Sequence, residues 1–168
     1  RLSDDAPNWE PLAVQYADYS LWQRQVLGAA DDPSSVLSRQ LHYWTQTLAG
    51  APDVLDLPAD RVRPKVASNR GADFAFRIDR RINEAMNVIA REHRASLFMV
   101  AHAALAVLCA RLSGTSDIAI GTPVAGRGDR ALDDMIGMFV NTLVLRADVP
   151  SDDSFEALLD RVRTADLG

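Results

Sequence analysis

The chain has 168 residues, a length that fits one compact domain or a piece of a larger one. Apolar residues make up 48% and charged residues 24%, the composition of a folded chain rather than a disordered one. A formal charge of −5 and a sequence pI near 5.1 argue against a general nucleic-acid binder, and no apolar run approaches the roughly 18 residues of a membrane-spanning helix. The single cysteine, Cys109, cannot form an internal disulfide, and a lone thiol fits a reducing, cytoplasmic compartment. The chain opens at Arg1, with neither an initiating Met nor a charged-then-apolar leader, and so reads as an excerpt.

In chain order, Arg1–Pro11 is polar, bounded by proline and expected to be a linker. From Leu12 the pattern turns helical: Val14, Ala17, Leu21 and Trp22 recur at spacings of three and four, and Gly28 with Asp31, Asp32 and Pro33 ends the run. A second helix is predicted over Ser34–Leu48, with Val36, Leu37, Leu41, Trp44 and Leu48 on one face and Gly50 as the stop. Residues 51–72 hold three prolines, no sustained period and the only lysine, Lys65; they read as an extended connector. Between positions 61 and 94 there are nine Lys or Arg against four acidic residues, a local basic zone that could attract an acidic partner.

Ala72–Ile78 alternates in the manner of a half-buried strand. Asp79 is suited to cap a helix running to about Glu92, with Ile82, Met86 and Ile89 as its apolar stripe. Ser96 opens the next, Leu97–Leu112, which is apolar almost all round and expected to be buried, with Ser113-Gly114 closing it. Ile118–Val124 reads as a strand, Ala125–Arg130 as a glycine turn, Leu132–Ile136 as a short helix and Phe139–Leu145 as a second strand. Asp153-Ser-Phe-Glu156 has the form of a capping box for a last helix. The layout is mixed α/β (α+β) with an incomplete sheet.

Generic catalytic signatures fail in turn: there is no GxSxG, no GxxxxGK[ST], no HExxH and no CxxC. His42, His93 and His102 read as a helix-surface, a helix-end and a core histidine, and no spacing suggests a metal site. Two longer strings are more specific. Residues 16–23 read YADYSLWQ and residues 136–146 read IGMFVNTLVLR, with QLHYWTQTLAGAP at 40–52, SLFMVAHAALAVLCARLSG at 96–114 and DIAIGTPVAGR at 117–127 between them.

In this order the chain resembles the condensation domain of a nonribosomal peptide synthetase, of which YxDYxxWQ and IGxFVNTxxxR are core motifs. The resemblance implies a chloramphenicol-acetyltransferase-like fold of two lobes, only partly present, with residues 1–70 closing the first lobe and forming the connector, and 71–168 opening the second. It implies amide-bond formation between donor acyl or peptidyl and acceptor aminoacyl thioesters carried on phosphopantetheine arms. Its partners would be donor and acceptor carrier domains and an adjacent adenylation domain, with no bound metal or resident cofactor, no nucleic acid and no membrane. The family's HHxxxDG is absent from this sequence, so the piece alone is expected to be inactive.

Carried over onto this sequence, the matching structural positions are Tyr16, Asp18, Trp22, Gly137 and Phe139. Substrate-tunnel or active-site support would fall to Asn141, Thr122, Arg127 and Arg146. Asn141 is a carboxamide in an apolar strand, and such a group either bonds backbone at a bulge or faces a polar cavity. Arg127, with Arg146 and Arg111 as rivals, is the choice for the arginine that pairs with the aspartate of HHxxxDG. The same fold also serves epimerisation, heterocyclisation and ester formation, and degenerate members only recruit other enzymes.

Overall fold

The computed structural model describes residues 11–62 and 64–167, so the expected linker before Pro11 lies outside the described residues. The elements are α1 (Tyr16–Leu27), α2 (Val36–Thr47), α3 (Arg80–Glu92), α4 (Leu97–Ser113), β1 (Asp117–Val124), a 3-10 turn (Arg130–Leu132), β2 (Asn141–Asp148) and α5 (Phe155–Leu167). Strands β1 and β2 form a two-stranded sheet. The described residues divide into two compact units, one within 1–49 and 123–143, the other within 50–122 and 144–168. No single helix among the described residues is long and apolar enough to cross a membrane.

In the first unit, α1 starts where Asp18 reaches back to the Gln15 backbone N–H at 2.9 Å, satisfying a donor that the helix itself cannot. Gly28 closes α1 by donating its N–H to the Arg24 carbonyl. Ser35 caps α2: its hydroxyl accepts from Ser38 N–H at 3.0 Å and donates to the Ala29 carbonyl at 2.6 Å. The core of this unit is small, consisting of buried Leu132, Met135 and Phe139 with Val14 and Tyr19 against them. Of the stripe expected for this helix, Val14 packs against this core but Ala17, Leu21 and Trp22 do not. Leu21 and Trp22 are exposed and Tyr19 makes the contact, because the partner offered by the unit is an aromatic ring, Phe139.

In the second unit, α3 and α4 form a hairpin on which α5 and the sheet pack. Asp79 caps α3 through Ile82 N–H at 2.8 Å, and Ser96 caps α4 through Met99 N–H at 3.1 Å, both as the residue types predict. Gly114 ends α4 with its N–H on the Ala110 carbonyl. The buried set is Ala90, Met99, Val100, Ala103, Ala106, Ile118, Ala147, Leu158, Leu159 and Val162. Small residues on α4 let α5 approach, so one face of α4 is buried, while Phe98, Leu105, Leu108 and Leu112 on its other face are exposed.

Four local expectations are corrected. Residues 72–78 form no strand; Phe74 and Phe76 are 89% and 76% exposed, and alternation cannot make a strand without a neighbour to bond. The second strand begins at Asn141 rather than Phe139, because Phe139 turns into the first unit's core. The helix expected over 132–136 is a single 3-10 turn over Arg130–Leu132, capped by Asp129. In the last helix Ser154, not Asp153, provides the cap, accepting from Ala157 N–H, and Asp153 pairs with Arg161 instead.

Candidate functional site

The first unit brings the two specific strings together. The Tyr16 hydroxyl donates to the Met138 carbonyl at 2.9 Å, 122 residues away in the chain. Its ring meets Phe139 edge-on, at 5.4 Å between centroids and 89° between planes, and Tyr19 lies 4.8 Å from the same ring. Gly137 makes room for this: a Cβ there would sit 2.2 Å from the Tyr16 ring. Gly126, at φ +65°, lets the turn after β1 pass so close that a Cβ would lie 1.9 Å from the Phe139 carbonyl oxygen. The Arg127 guanidinium stands over the Phe139 ring, 4.1 Å from its centroid, and donates to the Leu132 carbonyl. Phe139 is therefore the hub on which Tyr16, Tyr19 and Arg127 converge.

The remaining carried-over positions are less tightly held. Asp18 is the helix cap described above, and Trp22 is mostly exposed with its ring 6.0 Å from Tyr19. Asn141 is exposed at the head of β2, and its side-chain oxygen accepts from Thr142 N–H at 2.8 Å, leaving the carboxamide N–H groups without a partner among the described residues.

Thr122 belongs to the second unit and is half-buried on β1. In the same unit Arg146 is engaged: it grips Asp117 with two bonds, Nε to Oδ1 at 2.8 Å and Nη2 to Oδ2 at 2.7 Å. These hydrogen bonds from Arg146 hold the Asp117 carboxyl below the usual carboxylate range, and Asp117 in turn raises the guanidinium. Arg111 lines an open cavity of about 780 Å³ together with Val107, Asp152, Phe155 and Arg161.

His42 is exposed on α2, and His93 at the end of α3 lies 3.7 Å from Asp160. His102 is buried, with Nδ1 3.2 Å from Asp166 Oδ2 and Nε2 without a partner among the described residues. No three His, Cys, Asp or Glu side chains among the described residues gather as a metal site. Sequence reasoning missed the His102–Asp166 pair, since nothing in spacing links positions 64 residues apart; Asp166 on an otherwise apolar helix face was the available signal.

A mixed α/β chain in which these two motifs interlock defines a class, and comparison with known proteins identifies it. The family model for the condensation domain matches residues 5–167, and the chain belongs to that family. It is 51% identical over 167 residues to the dimodular nonribosomal peptide synthase of Bacillus subtilis, a match covering 99% of this chain and 7% of that protein. Among solved structures it is similar to the X-domain from teicoplanin biosynthesis, with TM-score 0.86, 32% identity, and coverage of 95% of this chain and 36% of that one. The complex of that X-domain with OxyB gives TM-score 0.87 at the same identity, covering 96% of this chain and 36% of that one. The chain is thus a condensation-domain segment of the nonribosomal peptide synthetase type with a partial condensation fold, spanning about a third of the solved X-domain.

Proposed function

We propose that this chain is the middle of a condensation domain that forms an amide bond between two carrier-bound thioesters. The observation that carries the reading is the interlock of YADYSLWQ with IGMFVNTLVLR around Phe139, in a chain matched by the family model over nearly its whole length. In the reaction, the amine nitrogen of the acceptor aminoacyl thioester attacks the donor carbonyl carbon. The C–N bond forms, the donor C–S bond breaks, and the amine's proton leaves as the donor arm departs as a thiol. The phosphopantetheine arms arrive as part of the substrates. The domain's contribution is to hold the two thioesters head to head, a proximity effect worth about 7 kcal/mol or more when geometry is right.

Residues 1–70 are assigned to the end of the first lobe and the connector, and residues 71–168 to the first half of the second. Asn141 would present its carboxamide N–H groups to an amide or thioester oxygen in the tunnel, with Thr122 in a supporting role. Arg127, fixed on Phe139 and Leu132, keeps further N–H donors for the aspartate of HHxxxDG. Arg146 is a weaker candidate because Asp117 already uses its fork. No His-His pair occurs in the sequence, so the chain supplies no HHxxxDG motif and is inactive by itself. Carrier domains and an adenylation domain are the partners of the complete synthetase.

The test uses the intact synthetase with donor- and acceptor-loaded carriers. The acceptor carrier should gain the mass of the donor acyl group, and Arg127→Ala should cripple that transfer while adenylation continues. A recruiting, non-catalytic role is favoured by the likeness to the X-domain, a domain solved in complex with OxyB. It predicts no mass transfer from the intact protein, together with retention of a tailoring enzyme.

A further inference from the structure

The hydroxyl of Tyr16 is more than packing requires. Its ring fills the gap over Gly137 and meets Phe139, and a phenylalanine would do both. The oxygen adds one directed bond, to the Met138 carbonyl, which ties the segment beside it to α1. The segment is held from other directions as well, by Gly126 against the Phe139 carbonyl and by Arg127 over the Phe139 ring. Two residues after Phe139 comes Asn141, whose side chain is anchored among the described residues only by the adjacent Thr142 N–H. Residues 137–140 lie outside the strand, so the path of this segment into the first residue of β2, Asn141, depends on such contacts.

We propose that Tyr16 is a positioning residue, which fixes the 137–139 segment through the Met138 carbonyl and so aims Asn141. This deepens the condensation reading and rests on it. It assigns the first tyrosine of YADYSLWQ a task in presenting the second motif. Because the bond is at the surface, losing it leaves folding nearly intact and acts on geometry.

The experiment compares Tyr16→Phe and Gly137→Ala with the unaltered intact domain, by melting, by condensation kinetics and by hydrogen exchange at residues 139–142. Tyr16→Phe should keep its melting temperature within about 2 °C and lose about tenfold in kcat, with the KM for the acceptor carrier unchanged. Exchange at Asn141 and Thr142 should rise severalfold. Gly137→Ala, which pushes the Tyr16 ring from the other side, should raise exchange in the same residues, and the two changes together should cost less than the product of each. Unchanged exchange at 139–142 in Tyr16→Phe, or turnover within twofold of an active parent, overturns the proposal. If the unaltered domain forms no amide at all, the condensation reading falls, and the exchange arm alone then decides whether Tyr16 positions the segment.

Discussion

At the scale of single residues, the tightest constraint is Gly126. A Cβ there would overlap the Phe139 carbonyl oxygen at a backbone angle that already disfavours a side chain, so Gly126→Ala should cost about 3 kcal/mol. Gly128→Ala, two residues on and facing open space, should stay within about 0.5 kcal/mol. Denaturant melts of both variants in the intact domain check the contrast. A second prediction concerns Asp117. Its carboxyl titrates below the ordinary 3.8 because Arg146 bonds the charged form, so the pair stabilises the fold above that value. The contribution is lost as pH falls through the depressed folded value. With both side chains partly exposed, Asp117→Asn should cost only about 0.5–1 kcal/mol at neutral pH, and the gap from the parent should close as pH falls through the depressed folded value. A third is that Asp166→Ala, which removes the carboxylate bonded to buried His102, should cost about 1–3 kcal/mol. Asp160→Ala, at an exposed and longer pair, should cost far less by the same measurement.

Helices and strands differ in how plainly the sequence announced them. Two caps were legible because the chemistry is local: Asp79 and Ser96 need only a neighbouring backbone N–H, whereas the last helix is capped by Ser154, one residue past Asp153. The 72–78 strand and the buried face of α1 were not, because both depend on a partner distant in sequence. Phe74 and Phe76 have the right alternation but no strand beside them among the described residues, while Tyr19 outcompeted Leu21 and Trp22 once Phe139 was placed opposite. Two motifs of one family hint at the Phe139 hub, but only the folded chain reveals it, since no periodicity joins positions 16 and 138. Helix α4 is the element where this matters most. Its exposed Leu108, at 53%, lies on an apolar stripe that the complete domain should cover. Leu108→Gln should therefore change the melt of the 168-residue chain by less than about 0.5 kcal/mol. In the intact domain it should cost about 2 kcal/mol or more, as burial of a polar group does.

For the whole molecule, 168 residues at first suit one modest acidic domain, and the comparisons place them as a third of a solved condensation-type chain. The −5 charge conceals the basic zone over 61–94, where the connector and α3 present exposed arginines such as Arg70, Arg77 and Arg81. The residues proposed to act, Asn141 and Arg127, sit beside the hub that the two motifs build, and the histidines of this chain are committed elsewhere or exposed. On the proposed function, the chain is the positioning part of a reaction whose base it does not supply. The most direct test follows the mass of an acceptor-loaded carrier, mixed with donor-loaded carrier and either the intact synthetase or the 168-residue chain. Donor acyl mass should appear on the acceptor with the intact protein and not with the chain alone. Transfer by the chain alone, or none by an intact protein that loads both carriers, would contradict the proposed function.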